Sequence, residues 1–377
     1  MKTKLSSTLY LLLLLSMFGC SINLAQPVTP NPYTEVGPML VTSPAGTGNT
    51  TPSVARTVVP VTWAGLNLTG SLVYASASLT DVTPISIQTL DLITGEIKTI
   101  FTTTKDAWVF YMTISPDGKQ LVMSYAPPSS GPEVPSRALY TMPLDGSAPP
   151  QLLFQPPTSD DHYIQAEWSP DGKYLYYVHY NNKERQQQGD LYPAYELFRM
   201  DYPEGQPEQI ADKAFWPRIS ADSSKLVYVS LDPASGTNEL FTADADGSNA
   251  QKMTLTGSSL SGIIDAPIFS PDGNSILFSA PPPPQAYQPN WLDKLLGVQV
   301  VKAHAIPSDW WSVSVTGGEI TRLTQIQTIN LFASISPDRN RLASVSGEGL
   351  FVMDWDGSNL TQILFNPGVS GTVSWVP

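Results

Sequence analysis

The chain has 377 residues, of which 41% are hydrophobic and only 14% are charged, a composition that excludes a disordered protein and favours an extensive buried core. The formal net charge of −13 opposes a phosphate backbone and argues against nucleic acid as a partner. The 35 prolines and 26 glycines indicate many short elements joined by turns.

Residues 1–19 have the pattern of a lipoprotein-type signal peptide. Lys2 and Lys4 precede a short apolar run that is too short to span a bilayer. Cys20 is the chain's single cysteine, and it follows Met17-Phe18-Gly19 in a segment that resembles the bacterial lipobox. That resemblance implies a lipid on Cys20 and a membrane-anchored, extracytoplasmic protein, either periplasmic or at the cell surface. The alternative is an ordinary secretory peptide with an incidental cysteine.

Residues 20–58 are rich in Pro, Ser, Thr and Gly and have no apolar periodicity. This composition is typical of a flexible tether, here one that would hold a folded domain away from the membrane. The folded domain is expected to be residues 59–377.

A Ser-Pro-Asp-Gly phrase recurs through that domain between short apolar runs. Proline presets φ for a tight turn, aspartate bonds its own backbone, and glycine accepts a positive φ, so each copy predicts a β-hairpin. The three full copies and two degenerate ones begin at Ser115, Ser169, Ser270, Ser220 and Ser336. Their aspartates are interpreted as turn formers because every copy repeats one.

The longer unit around each phrase has four strands and a second turn, and its spacing is near the roughly 40–45 residues of a propeller blade. Five units are complete, and the two ends supply a sixth. Gly70–Ala75 reads as a second strand without its first, and Gly371–Pro377 as a first strand without its second. Their pairing predicts an all-β, closed ring of six four-stranded blades, since closure removes free sheet edges. An open β-solenoid is the alternative fold.

These repeats resemble those of the TolB-like family, also called PD40 or WD40-like bacterial repeats, over about residues 60–377. The resemblance implies a six-bladed β-propeller. Certain serine peptidases carry a similar propeller, but the sequence has no Gly-x-Ser-x-Gly nucleophile motif.

Three long insertions are all predicted between second and third strands, at Ala126–Arg137, Asn181–Tyr195 and Ala280–Asp309. They should therefore lie on one side of the ring, and long loops on a rigid scaffold commonly carry binding sites. The last insertion contains a possible amphipathic helix. It either presents aromatic anchors to a partner or folds back and buries its own apolar face.

The candidate binding residues lie in that last insertion or in the connections between blades near the mouth of the axial channel. They are Trp108, Asp160, Asp161, His162, Trp216, Asp265, Trp291, His304 and Trp310. A metal at Asp160–His162 is not expected, because adjacent residues in an extended chain point apart. His179 is interpreted as a core histidine, and no catalytic residue or cofactor is predicted.

The sequence therefore favours a non-enzymatic binding or scaffold propeller of the cell envelope that recognises a protein or glycan through its loop-rich side. The alternative is a polysaccharide lyase or hydrolase with its site at the channel mouth.

Overall fold

The computed structural model describes residues 39–40, 56–77, 84–128, 136–181, 195–232, 236–257, 260, 262–283, 307–329, 331–366 and 368–377. These all belong to one compact unit, Met39–Pro377. Apart from the short 3-10 helix Ala64–Leu66, its regular elements are β-strands. No helix in this part of the chain has the length and apolar character needed to cross a membrane.

The strands form six antiparallel blades of at least four strands each, which confirms the predicted six-bladed propeller. Blade I has, from its inner strand outward, β28 (Val369–Val376), β3 (Ser71–Ser76), β4 (Ser86–Asp91), β5 (Glu96–Thr102), β2 (Arg56–Val58) and β1 (Met39–Leu40). Blade II has β6 (Trp108–Ile114), β7 (Gln120–Ala126), β8 (Ala138–Pro143) and β9 (Gln151–Phe154). Blade III has β10 (Asp161–Trp168), β11 (Tyr174–Asn181), β12 (Tyr195–Asp201) and β13 (Glu208–Asp212).

The remaining three blades repeat this order. Blade IV has β14 (Ala214–Ile219), β15 (Lys225–Leu231), β16 (Asn238–Asp244) and β17 (Gln251–Lys252). Blade V has β19 (Asp265–Phe269), β20 (Ser275–Ala280), β21 (Asp309–Ser314) and β23 (Thr321–Arg322). Blade VI has β24 (Phe332–Ile335), β25 (Arg341–Ser346), β26 (Gly349–Asp354) and β27 (Thr361–Phe365). Between blades IV and V, β18 (Leu255–Thr256) pairs in parallel with β22 (Gly318–Glu319).

The ring closes through the sheet of blade I. The C-terminal strand β28 pairs antiparallel with β3, so that Trp375 lies opposite Leu72 and Ser374 opposite Val73. The six inner strands β28, β6, β10, β14, β19 and β24 contact one another in that order, and β24 contacts β28 again. The two chain ends therefore complete one blade, as the sequence predicts.

The repeated phrase builds the same turn five times. In blade II, the Gly118 N–H donates to Ser115 O, and the Ser115 hydroxyl donates to Asp117 Oδ1 at 2.6 Å. The residue after the aspartate has a positive φ in all five copies, between 61° and 74°. Glycine accepts this conformation in the three full copies, whereas Ser223 and Arg339 adopt it in the degenerate ones. The serine and aspartate bonds are thus sufficient to hold the turn without glycine.

The second strands are buried on both faces because each blade packs between two others. In β11, for example, the four residues Leu175–Val178 are all buried. This burial on both faces is expected of a propeller blade and not of a sheet with one solvent-exposed face. The stacked blades hold each inner strand rigidly against the axis.

Candidate functional site

The antiparallel order of the strands gives the propeller two distinct sides. The Ser-Pro-Asp-Gly turns lie on one, here called the turn side. The first residues of the inner strands and the strand ends that flank the three long insertions lie on the other, here called the loop side. The insertions themselves fall largely outside the described residues.

Six equivalent positions on the inner strands meet at mid-height of the axis. In every blade, the first leucine or isoleucine of the second strand pairs with one residue of the inner strand. The position meant here lies three residues before that inner-strand residue. From blade I to blade VI these positions hold Thr372, Tyr111, Gln165, Trp216, Ala266 and Phe332. Large aromatic residues therefore alternate with smaller side chains around the ring.

The three aromatic rings, here called the axial plug, belong to alternate blades and still contact one another. The Trp216 ring centre lies 5.2 Å from that of Tyr111 and 4.7 Å from that of Phe332, and Tyr111 and Phe332 are 6.5 Å apart. Residues of blades II, IV and VI contact each other only across the axis, so the plug divides the channel into a loop-side mouth and a turn-side cup.

Two of the smaller side chains of the same ring, Gln165 and Thr372, hydrogen-bond across blade boundaries. Gln165 Oε1 accepts from the Trp216 N–H at 2.7 Å, and Gln165 also bonds the Tyr111 hydroxyl. Burial raises the pKa of Tyr111 to about 12. Gln165 and Trp216 have positive φ values of 52° and 55° and sit at irregularities in the strand pairing. The bulges turn these side chains toward neighbouring blades.

On the loop side, aromatic residues, all partly exposed except the buried Tyr180, gather around one arginine. The Arg137 Cζ atom lies 4.0 Å above the ring centre of Phe110, which stacks on Trp108 at 6.0 Å. Arg137 Nη1 also donates to the Tyr180 hydroxyl at 2.6 Å, and Tyr180 contacts Tyr195 at 5.5 Å. Trp108, Phe110, Arg137, Tyr180 and Tyr195 form a surface across blades II and III that is called the aromatic band below.

His162 supports this band from beneath. Its ring stacks on Tyr180 at 4.8 Å, and its Nδ1 accepts from the backbone N–H of Arg137 at 3.1 Å. Burial, and after it the nearby Arg137 guanidinium, lowers the pKa of His162 to about 4. The imidazole is therefore neutral at physiological pH and serves as a hydrogen-bond acceptor.

Asp161 points the other way along the extended strand and joins a separate network. His179 lies between two carboxylates, with Nε2 2.8 Å from Asp161 Oδ1 and Nδ1 2.8 Å from Glu196 Oε2. Burial raises the pKa of Asp161, but hydrogen bonds from Thr158, Asn181 and His179 outweigh that effect and lower it to about 2. This network connects the two strand ends that flank residues 182–194.

The sequence-predicted residues occupy different environments. Trp108 lies in the aromatic band, and Asp160, Asp161 and His162 lie beside or beneath it. Trp216 is part of the axial plug and only 3% exposed, and its Nε1 donates to Asp265 at 3.2 Å. Trp310 is fully buried within blade V. Cys20, Trp291 and His304 lie outside the described residues.

Phe110, Arg137, Tyr180 and Tyr195 were missed by the sequence analysis. Each lies next to a predicted feature, since Arg137 and Tyr195 end the first two insertions, Tyr180 directly precedes the second, and Phe110 follows Trp108 by two residues. A search for aromatic and arginine residues at the insertion ends would have found three of them.

The turn-side cup was also missed, although the repeat register identifies its wall. This wall is formed two residues after each of the six mid-height positions of the inner strands. From blade I to blade VI, the residues there are Ser374, Thr113, Glu167, Arg218, Ile268 and Ser334. All six line a cavity of about 400 Å³. Arg218 Nη1 donates to Glu167 Oε2 across the boundary between blades III and IV.

Among the described residues, no group of three or more His, Cys, Asp or Glu side chains is arranged to hold a metal ion. Asp161 and Glu196 approach His179 from opposite ring nitrogens, so the three side chains do not converge on one point.

No family model and no curated protein sequence matches this chain. Several solved structures are similar to it. The chain is similar to TolB from Acinetobacter baumannii, with a TM-score of 0.57 and 17% identity over 82% of this chain and 67% of that one. It is similar to a putative TolB from Agrobacterium tumefaciens, with a TM-score of 0.50 and 17% identity over 82% of this chain and 100% of the other. An oligogalacturonate lyase in complex with manganese has a TM-score of 0.50 and 14% identity, over 83% of this chain and 82% of the lyase. These likenesses show a shared TolB-type propeller fold.

Proposed function

We propose that this propeller is a non-enzymatic binding or scaffold module of the cell envelope that captures a protein or glycan partner on its loop side. The aromatic band carries the proposal. Its residues combine large, partly exposed rings with an arginine whose orientation is already fixed by Phe110 and Tyr180. Because these side chains are held before binding, little conformational entropy is lost when a partner contacts them.

The composition of the band is that of an interaction hot spot. Trp, Tyr and Arg are the residue types that contribute most to binding energy in protein interfaces. Aromatic rings also provide flat apolar faces for stacking. Trp108, Phe110, Arg137 and Tyr195 are all partly exposed, so a partner can reach them. The strand ends that flank the first two insertions border the same surface.

The nearby titratable groups serve the structure of this surface. Asp161 and Glu196 each hydrogen-bond to His179, and His162 accepts from the Arg137 backbone. Each therefore has a role in holding strand ends. This favours a binding role over the polysaccharide lyase or hydrolase that the sequence leaves open. The enzymatic alternative predicts bound metal by elemental analysis that is lost in His162→Ala, together with turnover of a glycan substrate.

Anchoring in the envelope is the second part of the proposal. The signal-like segment and Cys20 support it, and the similarity to TolB structures supports an extracytoplasmic location. Metabolic labelling with a radioactive or clickable fatty acid tests it: the full chain should incorporate the label and Cys20→Ser should not. Equal labelling of both proteins would contradict lipidation at this residue.

Capture from cross-linked envelopes tests the binding function. The full chain should enrich a defined partner, and Phe110→Ala combined with Arg137→Met should abolish that enrichment. The matched control is Lys119→Gln combined with Lys173→Gln on the turn side, which should leave it unchanged. Enrichment that survives the loop-side substitutions would contradict the assigned surface, and no enrichment by the full chain would contradict the function.

A further inference from the structure

The turn-side cup is a blind cavity built into the ring. Its lining residues Met112, Ala333 and Val373 directly follow Tyr111, Phe332 and Thr372, three of the six inner-strand positions that meet at mid-height of the axis. Its volume of about 400 Å³ falls within the range of about 300–1,000 Å³ typical of small-molecule sites. It lies on the side of the propeller opposite the aromatic band, so it is independent of the function proposed above.

One wall of the cup carries a donor and an acceptor next to each other. The side chains of Arg218 and Glu167 are only 16% and 19% exposed, which removes most of the water that would otherwise screen them. Burial raises the pKa of Glu167, and the Arg218 guanidinium opposes that shift. A ligand that adds a hydrogen bond to each group would further offset the cost of burying this ion pair.

Both groups retain hydrogen-bonding capacity. Among the described residues, the hydrogen bonds of the Glu167 carboxylate come from Arg218 and Thr113 and both go to Oε2, which leaves Oε1 as an acceptor. Arg218 uses Nη1 for Glu167 and Nη2 for a long, 3.5 Å bond to Ala333 O, whereas a guanidinium has five N–H donors. Arg339, an exposed residue of the lining, provides a second guanidinium.

The lining also includes the apolar residues Ile219, Ile268, Ile335 and Val373. A matching ligand therefore has a positive donor for Glu167, a negative acceptor for Arg218 and an apolar body. The positive and negative groups must be close together because the two side chains are in contact.

We propose that the turn-side cup binds a free α-amino acid with an apolar side chain, in its zwitterionic form. The α-ammonium group donates to Glu167, the α-carboxylate accepts from Arg218, and the side chain packs against the isoleucine and valine residues. An α-amino acid carries both charged groups on one carbon. A simple fatty acid or alkylamine supplies only one of them, and would leave the remaining hydrogen-bonding capacity of the other member of the buried pair unused.

Calorimetric or NMR titration of the full chain tests this with L-leucine, L-valine, L-methionine and L-phenylalanine as probes, up to about 10 mM, the range of weak specific binding. At least one probe should bind. For L-leucine, the comparison compounds are 4-methylpentanoate, which lacks the ammonium group, and 3-methylbutylamine, which lacks the carboxylate. Each should bind at least about tenfold more weakly, a loss of about 1.4 kcal/mol. If no amino acid binds, or if an analogue binds as well as its parent, the proposal is wrong.

Substitutions locate the site. Glu167→Gln and Arg218→Gln should each weaken binding about tenfold or more. The matched control is Glu208→Gln, which removes the carboxylate from the 2.8 Å pair with Arg199 on an outer strand of blade III and should leave binding unchanged. Unchanged binding in both cup variants would overturn the proposal. If a cup variant fails to fold, the comparison of L-leucine with its two analogues on the unmodified chain still decides the question.

Discussion

The hydroxyl of Thr372 bonds both backbone groups of Met112, a residue 260 positions earlier in the chain. Thr372 Oγ1 accepts from the Met112 N–H at 2.8 Å and donates to the Met112 carbonyl oxygen at 2.8 Å. This pair joins the inner strand of blade I, which comes from the C-terminal end, to the inner strand of blade II. Ring closure thus depends on a side-chain latch as well as on the β28–β3 pairing.

Replacing Thr372 by valine should destabilise the ring. The substitution keeps the shape of the side chain and leaves a buried N–H and C=O without their hydroxyl partner, at a cost on the order of 2 kcal/mol. Urea denaturation measures the change in the free energy of unfolding. Thr372→Ser keeps the hydroxyl and loses one methyl group, so it should cost about 0.8 kcal/mol or less. Equal losses in the two variants would show that the latch contributes nothing.

The axial plug should be a major contributor to stability. Trp216→Ala removes a 3% exposed side chain that contacts Tyr111 and Phe332 across the axis, and should lower the free energy of unfolding by about 3–5 kcal/mol. Trp355→Ala, at a less buried tryptophan of blade VI, is the control and should cost less. Thermal and urea unfolding of both variants provide the measurement. A larger loss in Trp355→Ala would contradict the plug's role.

The ring of blades was predictable from the sequence because its determinants are local. Ser115, Pro116, Asp117 and Gly118 specify their turn through bonds within five residues, and the same phrase recurs in register. The pairing of the two chain ends was predictable because each end supplies only part of a blade and the two parts complete one another. The axial plug was not predictable in this way, since Tyr111, Trp216 and Phe332 meet only after three separate blades are placed around one axis.

The candidate site was likewise predictable in part, where local sequence determines position, and not where contacts join separate blades. Trp108, Asp161 and His162 were predicted in the connections between blades. They instead begin the inner strands β6 and β10, and Asp161 and His162 face different neighbours. The contacts of Arg137 with Phe110 and Tyr180 link blades II and III, and nothing in the sequence near Arg137 specifies them. His179, expected to be a core residue, lies between two carboxylates near the surface of the blade.

His162 should make stability depend on pH in the mildly acidic range. The folded pKa of about 4 lies below the unfolded value of about 6.5, so its contribution is fully present above about pH 6.5 and is lost as the pH falls toward 4. The loss should be on the order of 1–3 kcal/mol. His162→Gln lacks the titrating group and should show a flatter profile between pH 6.5 and 5, measured by urea denaturation at each pH. Identical profiles for the two proteins would contradict this account of the buried imidazole.

Arg137 should contribute to stability as well as to the proposed binding surface. Arg137→Met keeps an apolar stem over Phe110 but removes the cation–π contact and the 2.6 Å bond to Tyr180, so it should cost about 1–2 kcal/mol. Arg137→Lys keeps the charge and loses the planar guanidinium, and should be intermediate. Urea denaturation gives the free energies. A stability of Arg137→Met equal to that of the unmodified chain would show that the arginine is not held as the structure indicates.

Site-specific photo-cross-linking in cells tests the central claim, that a partner binds on the loop side. A photoreactive aromatic amino acid is placed at Trp108 in the aromatic band, and in a second variant at Ile93, a turn-side residue that is 65% exposed. Position 108 should give a discrete cross-linked species that disappears with Arg137→Met, and position 93 should give none. A discrete adduct from position 93 with none from position 108 would contradict the claim.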